Sequence, residues 1–363
     1  MSEAVKRADL ERLAQYRDQL CAHPRLTYLF FELTDACNLA CLHCGSSACP
    51  QNSTYLPLQA IQKVLDEVAA AYPPQSVMVC LSGGEPLLHP DFFDVAAYAH
   101  RLGFPCGMTT NGTRIDAACA QRLVQTGVVS VSVSLDGPQA LHDWLRGRPG
   151  VYDQAVAGLR QLVETSHGQM LTQVTTVAHK KNLHHLEELY PAVCALGVTS
   201  WRIINLEPIG RARTRNDLLL DAEELRFLLD YIQAKRFDPA APVEVTYGCS
   251  HFLTLPYERM VRDNYFLCGA GTMVASVLCN GDIYGCMDIE RRPELVQGNV
   301  FHDSFVNVWE HGFQPLRRDR SEDSEACRQC ADRRYCRGDA AHTWDYDAKR
   351  PLLCMKQLFA SCK

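Results

Sequence analysis

Apolar and polar positions alternate between a strand pattern and a helix pattern from about residue 28 to about residue 207. Short apolar or β-branched runs predict strands, and longer stretches with apolar residues three or four positions apart predict helices. The predicted strands are 28–33, 76–81, 106–110, 129–135, 171–177 and 201–206. The predicted helices are 59–71, 92–102, 116–126, 151–164 and 183–196. Strands separated by helices pair in parallel, so an α/β fold is expected.

Composition narrows the class of protein. A chain of 363 residues can bury a large core, which predicts one main domain and one smaller domain. The net charge of −6 gives no general case for binding nucleic acid or a membrane, and no apolar run is long enough to span a bilayer. The first residues are polar and unlike a signal peptide, and most of the eighteen cysteines fall in short clusters. We therefore expect a cytoplasmic protein whose cysteines are reduced.

Three closely spaced cysteines follow the first predicted strand. Cys37, Cys41 and Cys44 have the spacing C-x3-C-x2-C, with His43 immediately before the last of them. Three thiolates at this spacing can hold three corners of an iron–sulfur cube and leave the fourth iron open. A structural zinc site is the alternative, but it normally closes with four ligands, and His43 is poorly placed to join the cysteines.

This stretch resembles the signature of the radical S-adenosylmethionine (radical SAM) superfamily of oxidoreductases. The resemblance implies an open six-stranded barrel, a partial (β/α)6 TIM barrel, with the functional loops at the carboxyl ends of the strands. It also implies a 4Fe-4S cluster whose open iron chelates SAM. One electron then cleaves SAM to methionine and a 5′-deoxyadenosyl radical, which abstracts hydrogen from a substrate carbon.

Two further strand ends carry candidates for SAM binding. Gly83, Gly84 and Glu85 follow the second strand, where glycines permit close approach of a ligand and a carboxylate can accept a hydrogen bond from an ammonium group. In the superfamily such a motif binds the amino group of SAM. Asn111 ends the third strand before a glycine, a pattern that also occurs in simple turns.

The remaining candidates for SAM binding come from later strand ends. The resemblance implies that Ser134 and Asp136, after the fourth strand, contact the ribose or carboxylate of SAM. Arg146 could reach that carboxylate, and a solvated surface arginine is the alternative. Leu206, at the end of the sixth strand, is the candidate for packing against adenine, with His43 nearby. No substrate base is identified from the sequence.

A second cysteine cluster lies near the C-terminus. Cys327, Cys330, Cys336 and Cys354 resemble the SPASM extension found in radical SAM peptide and protein maturases. Four thiolates can complete one 4Fe-4S cluster. Zinc is the alternative for such C-x2-C pairs.

Upstream, Cys268 and Cys286 also have SPASM spacing, which in that family serves a second, inner auxiliary cluster. This chain departs from the family pattern twice. Ala340 stands where a cysteine is usual, and residues 262–264 contain no cysteine although one is usual there. We therefore expect two clusters, with a third remaining open.

Substitute ligands for the inner cluster are available in the sequence. Cys279 or Cys249 could replace one missing thiolate, and Asp339 or His342 the other; otherwise the inner cluster is absent. The remaining cysteines are predicted to be ordinary small side chains: Cys21, Cys49, Cys80, Cys106, Cys119, Cys194 and Cys362.

Four segments are predicted from these patterns. They are an N-terminal helical segment over 1–26, a radical SAM barrel over 27–215, a helical bridge over 216–248 and a cysteine-rich SPASM-like domain over 249–363. The segment 1–26 is much smaller than a leader-binding domain of about eighty residues, so leader recognition would need a separate protein or the barrel itself.

SPASM proteins mostly modify peptides or proteins, so the predicted function is a change to a residue of a ribosomally made peptide (RiPP), such as a crosslink. The expected partners are a peptide or protein substrate, an external electron donor of the flavodoxin or ferredoxin type, and a separate leader-binding protein. A sulfatase-type maturase and a tetrapyrrole- or small-molecule-modifying enzyme are the enzymatic alternatives. An iron–sulfur electron carrier is the alternative that is not an enzyme, but a carrier needs no SAM pocket.

Overall fold

The computed structural model describes residues 2–249 and 251–360, and its centre is a ten-stranded sheet. The strands of this sheet are β1 (Tyr28–Glu32), β2 (Met78–Ser82), β3 (Cys106–Thr110), β4 (Val128–Ser134), β5 (Leu171–Ala178), β6 (Ser200–Asn205), β7 (Glu244–Tyr247), β8 (Val274–Val277), β9 (Asp282–Tyr284) and β10 (Gly298–Asn299). A separate antiparallel pair comprises β11 (Trp344–Asp345) and β12 (Arg350–Pro351). Cys362, predicted to be an ordinary thiol, lies outside the described residues.

Helices connect most of the parallel strands. They are α1 (Glu3–Ala22), α2 (Leu58–Ala71), α3 (Phe92–Arg101), α4 (Ala117–Gln125), α5 (Gln139–Arg146), α6 (Val151–Ser166), α7 (Leu186–Ala195), α8 (Ala222–Arg236), α9 (Thr254–Tyr257), α10 (Phe305–His311), α11 (Gln314–Arg317), α12 (Glu325–Arg328), α13 (Arg333–Cys336) and α14 (Met355–Ala360). Among the residues described, none of these helices combines the length and apolar character needed to cross a membrane.

The sheet order is β10-β9-β8-β1-β2-β3-β4-β5-β6-β7, and every pairing from β8 to β7 is parallel. The predicted α/β fold with a partial barrel and a smaller SPASM domain is therefore confirmed. The structure adds two parallel strands to the predicted six, β7 beside β6 and β8 beside β1. Both have only four residues, too few to give a recognisable periodicity.

Alternation along the strands gives the barrel a buried outer face and a partly polar inner face. In β6, Trp201 and Ile203 are fully buried, while Arg202 and Ile204 line a central cavity. Trp201 anchors the outer layer, because its indole Nε1 donates a 2.8 Å hydrogen bond to Thr176 Oγ1. The inner face of the barrel is therefore available for a ligand.

The N-terminal helix α1 contacts the C-terminal part of the chain. Lys6 Nζ donates to the carbonyl oxygen of Leu255 at 2.7 Å, and Arg17 Nη1 donates to that of Tyr335 at 2.8 Å. In the predicted bridge over 216–248, α8 leads into β7, which extends the barrel sheet. The boundaries between the four predicted segments stay predictions.

Candidate active site

The loop that follows β1 places three thiols on one cavity. Cys37, Cys41 and Cys44 line a space of about 530 Å³ together with Gly83 and Gly84, which follow β2. Parallel strands end at the same edge of a sheet, so residues from different strand ends meet there. The sequence motifs at the first two strand ends therefore come together.

The turn after β6 holds the cysteine loop in place. Arg211 donates hydrogen bonds from Nε to the carbonyl oxygen of Cys41 at 2.7 Å and from Nη1 to that of Ala48 at 2.9 Å. A Cβ on Gly210 would lie 2.4 Å from the carbonyl oxygen of Cys44, so only glycine permits this approach. The sequence showed no role for Arg211, because its partners are more than 160 residues away.

The donors around this cavity fit an iron–sulfur cluster. All three thiols are free, and burial raises the pKa of Cys37 to about 12, so ligation by a metal would have to displace the proton. Arg146 Nη1 lies 3.8 Å from Cys41 Sγ, and Asn111 Nδ2 lies 3.9 Å from Cys37 Sγ. Such donors stabilise sulfur ligands. Within residues 2–249 and 251–360, no three His, Cys, Asp or Glu side chains are placed to hold a single metal ion.

Glu85 does not line the cavity. Its carboxylate is fully buried and accepts hydrogen bonds from Thr110 Oγ1 at 2.7 Å, from the Asn111 amide at 2.9 Å and from the Leu87 amide at 3.2 Å. Burial raises the pKa of this carboxyl group. In the structure Glu85 fastens the end of β3 to the turn after β2, and its predicted direct contact with the SAM ammonium group stays a prediction.

The glycines before Glu85 are required by the packing of the cysteine loop, and their predicted role in binding SAM stays a prediction. A Cβ on Gly84 would lie 2.1 Å from the carbonyl oxygen of Ala36, in the stretch that leads into the cysteine loop. A side chain at this position would push the loop away. The two motifs therefore depend on each other for their positions.

Asp136 is also placed behind the cavity wall. Its carboxylate accepts a 2.7 Å hydrogen bond from Arg146 Nε and a 3.0 Å hydrogen bond from the Val177 amide. Burial alone would raise the pKa of Asp136, but Arg146, the neighbouring histidines and the Val177 amide together lower it. Arg146 and Ser134 line the cavity, whereas Asp136 does not. Asp136 therefore positions Arg146, and its predicted contact with SAM would have to be indirect.

A second, adjoining cavity of about 300 Å³ contains the two residues proposed for adenine. His43 and Leu206 both line it, and His43 also lines the larger cavity. Burial lowers the pKa of His43 to about 3, so the imidazole is neutral. Its Nδ1 is buried and has no hydrogen-bond partner in the part of the chain that the structure describes. An unsatisfied ring nitrogen beside an apolar side chain fits a heterocyclic ligand such as adenine.

A buried charged network begins at Glu207. His342 Nε2 lies 2.8 Å from Glu207 Oε2, and His251 Nε2 lies 3.0 Å from Glu207 Oε1 without hydrogen-bond geometry. His251 Nδ1 is 2.6 Å from Asp339 Oδ2. His342 lines both cavities. The sequence could not reveal this network, because its members are spread over distant segments.

The carboxylates set the charge of these imidazoles. Burial alone would lower the pKa of His342 and His251, but the interaction with Glu207 raises it at His342, and the interactions with Asp339 and Glu207 together raise it at His251. The pKa of His342 rises to about 9 and that of His251 to about 10, so both imidazoles are doubly protonated and positively charged at neutral pH. Burial alone would raise the pKa of Glu207, but His342 and His251 lower it.

The four C-terminal cysteines surround one space. Cys327, Cys330, Cys336 and Cys354 all line a cavity of about 640 Å³. Each thiol is free and half-buried. A volume enclosed by four thiols suits a cluster of several atoms.

The inner pair of cysteines is placed differently from the expectation. Cys268 and Cys286 line the same cavity as the triple-cysteine loop, but Cys279 lines a separate cavity beside Glu32. The antiparallel pairing of β8 and β9 explains this difference. Cys268 precedes β8 and Cys286 follows β9, so they share one end of the hairpin, while Cys279 is at its turn. The structure therefore does not support Cys279 as a substitute ligand.

At the two positions where the SPASM family usually has a cysteine, this chain has other residues, and these make structural contacts. Ala340 is fully buried in an apolar cluster with Leu10 and Phe252. Arg262 Nη1 donates to the carbonyl oxygen of Cys249 at 2.7 Å, and Nη2 donates to Glu258 Oε1 at 2.7 Å. Ala340 has no ligand atom in its side chain, and Arg262 is a cation held by carbonyl and carboxylate oxygens, so neither replaces a thiolate.

Comparison with known families agrees with this geometry. Residues 31–191 match the model of the radical SAM superfamily, and residues 268–331 match that of the SPASM iron–sulfur cluster-binding domain. Mycofactocin maturase MftC of Mycolicibacterium smegmatis is 34% identical over 318 residues, 85% of this chain and 76% of its own length. AdoMet-dependent heme synthase of Nitratidesulfovibrio vulgaris is 28% identical, over 92% of this chain and 93% of its own length.

Solved structures share the fold. SuiB of Streptococcus suis bound to S-adenosylmethionine has a TM-score of 0.71 at 18% identity, covering 87% of this chain and 73% of SuiB. The structure of anSMEcpe with bound AdoMet has a TM-score of 0.73 at 18% identity, covering 92% of this chain and 95% of that one. The chain belongs to the radical SAM superfamily and carries a SPASM domain. It is an enzyme whose cofactors are 4Fe-4S clusters and SAM.

The Glu207–His342 pair generates a pH prediction. The pKa of His342 in the folded protein is about 9, above its ordinary value of 6.5, so the pair stabilises the fold fully below about pH 6.5 and loses this contribution as pH rises through about 9. We expect Glu207→Gln to lower the melting temperature most below pH 6.5 and least above pH 9. Differential scanning fluorimetry under anaerobic conditions measures this difference. A difference that is constant across the range would contradict the assignment.

Proposed function

We propose that this radical SAM enzyme modifies a residue of a ribosomally made peptide and installs a crosslink or another post-translational change. The single observation that carries this proposal is the shared cavity of the triple-cysteine loop and the SPASM cysteines Cys268 and Cys286. A substrate in that cavity would lie against both parts of the enzyme. The family contains relatives with the same kind of substrate. Mycofactocin maturase and the subtilosin biosynthesis protein AlbA match this chain, and the similar fold of SuiB is known with its precursor peptide SuiA.

Residue roles follow from position. Cys37, Cys41 and Cys44 would hold the cluster that binds SAM, while Gly83, Gly84 and Ser134 would line the SAM site. Arg146, held by Asp136, would face the SAM carboxylate near Cys41. His43 and Leu206 would hold adenine. When bound, the reduced cluster supplies the electron that cleaves SAM, and the protein supplies orientation and exclusion of water.

The C-terminal cysteines would hold an auxiliary cluster. Cys327, Cys330, Cys336 and Cys354 line one cavity, which supports a fully ligated cluster there. Cys268 and Cys286 supply two thiols without the other two that the family pattern provides. We propose two clusters as the minimum content of the enzyme.

A tetrapyrrole substrate is the second candidate. The heme synthase matches over 93% of its own length, whereas the mycofactocin maturase matches over 76%. The fraction of the relative's length that is matched therefore favours a heme synthase-like function, and the sequence identity favours a maturase-like function. The peptide proposal is preferred because maturases appear both among the sequence relatives and among the similar folds.

We propose further partners on chemical grounds. The cluster needs one electron from an external donor, for which a flavodoxin or ferredoxin is the expected type. A separate leader-binding protein would guide the peptide to the barrel. Such redox partners and free thiols agree with a cytoplasmic location.

Iron counting tests the inner cluster. The two sites formed by Cys37/Cys41/Cys44 and Cys327/Cys330/Cys336/Cys354 imply about eight irons, and an inner cluster would raise this to about twelve. Because the customary ligand positions are taken by Ala340 and by residues 262–264, we expect about eight. Cys268→Ala and Cys286→Ala should then keep the iron content of the wild type. A loss of about four irons in both variants would show that the inner cluster exists.

Co-expression tests the substrate class. The enzyme is produced with short open reading frames that neighbour its gene, and each peptide is analysed by mass spectrometry. We expect a SAM-dependent change in one peptide; loss of two hydrogens indicates a crosslink, and deuterium uptake without loss indicates epimerisation. Cys41→Ala is the inactive control. Turnover of a tetrapyrrole with no change in any peptide would overturn the peptide assignment.

A further inference from the structure

Arg202 is a positively charged side chain of the cavity wall that forms no ion pair with the carboxylates of the described residues. It lies on β6 with its side chain half-buried, and it lines both the larger cavity and the adjoining one. Its Nε donates a 3.3 Å hydrogen bond to Thr175 Oγ1. Across residues 2–249 and 251–360, Arg202 forms no ion pair, although the charge of Asp288 opposes the effect of burial on the Arg202 pKa.

The other cationic groups of the cavity are already bound. Arg146 is paired with Asp136 at 2.7 Å, and Arg211 donates to backbone carbonyl oxygens of the cysteine loop. His342 lies 2.8 Å from Glu207. Arg202 therefore differs from its neighbours, because its positive charge is left for a ligand.

The chain opposite Arg202 leaves room for its side chain. A Cβ on Gly248 would lie 2.4 Å from Arg202 Cγ and 2.5 Å from Arg202 Cδ. The glycine after β7 thus permits the arginine to pass close to the backbone. Burial lowers the pKa of Arg202, which indicates that the position is costly for a charge. A charge kept there without a partner is typical of a binding site.

The cavity also contains an opposing charge. Asp288 is exposed and lines both cavities. Its Oδ2 is 3.9 Å from Cys286 Sγ, and it makes no ion pair with Arg202. Asp288 would repel an anion from the side of Cys286. An anionic ligand is therefore favoured on the side of Arg202 and Thr175.

We propose that Arg202 binds a carboxylate of the substrate, supplied by an acidic side chain or by the C-terminus of the peptide. This inference rests on the proposed peptide function and makes it more specific. A guanidinium can bind a carboxylate with two parallel hydrogen bonds, and the partial burial of Arg202 strengthens them. SAM also carries a carboxylate, but Arg146 faces Cys41 and is the better placed group for it.

Acetate is a direct probe of this site, and acetamide is its neutral control. Saturation-transfer NMR on the reconstituted, SAM-loaded enzyme measures the binding of each. We expect the wild type to bind acetate and not acetamide. Arg202→Gln should weaken acetate binding by at least about tenfold, because a charged hydrogen bond is lost. Arg202→Lys should retain part of the affinity, and the surface variant Arg160→Gln should behave as the wild type.

A second variant moves the side chain without changing its charge. Gly248→Ala should also weaken acetate binding, because the new Cβ would displace Arg202 from its position. Iron content and melting temperature, compared with those of the wild type, show whether each variant is folded. Equal acetate binding in the wild type and in folded Arg202→Gln would overturn the proposal.

The affinity of each variant for SAM shows whether Arg202 binds a carboxylate of the substrate or the carboxylate of SAM. If Arg202 holds the substrate, Arg146→Gln should weaken SAM binding by at least about tenfold while Arg202→Gln changes it by less than about twofold. The reverse result would assign Arg202 to SAM and overturn the proposal. Acetate binding does not depend on any peptide, so failure of the co-expression experiment and failure of this test are distinguishable. If both hold, the peptide with a free carboxylate should be modified faster than its carboxamide form.

Discussion

The contact between the turn after β6 and the loop after β1 is the constraint on which the site depends. The sheet is open, and four strands separate β1 from β6. The hydrogen bonds between neighbouring strands therefore do not by themselves bring the ends of β1 and β6 together. Gly210 allows the two backbones to meet, and Arg211 then binds the carbonyl oxygens of Cys41 and Ala48. This clamp extends across the mouth of the barrel. It places the triple-cysteine loop above the polar inner faces of the strands and creates the cavity.

The SPASM domain reaches the same cavity through the sheet. β8 pairs in parallel with β1, so the C-terminal part of the chain continues the barrel ladder instead of packing as a separate body. The hairpin of β8 and β9 then presents Cys268 and Cys286 to the cavity. A substrate held by Arg202 would be in contact with both regions.

Local patterns were enough to predict the parallel α/β strands and the composition of the cysteine motifs, while the partial barrel was implied by the resemblance to the radical SAM superfamily. The strands and the C-x3-C-x2-C loop depend on neighbouring residues, so periodicity and spacing reveal them. The positions of Glu85 and Asp136 were not predictable, because their burial depends on hydrogen bonds to Thr110 and Arg146 from other strand ends. Spacing also suggested Cys279 as a ligand, since it could not show that Cys279 lies at the turn of the β8–β9 hairpin, at the end opposite Cys268 and Cys286.

The measurement that tests the account most directly is SAM cleavage by the reconstituted and reduced enzyme. The wild type should convert SAM to 5′-deoxyadenosine and methionine. Cys41→Ala should fall to the background of a protein-free reaction because the open cluster has lost a ligand, while the C-terminal iron remains. Cys119→Ala, which replaces a thiol outside the cavities, should cleave SAM as the wild type does. Undiminished cleavage by Cys41→Ala would contradict the assignment of the triple-cysteine loop.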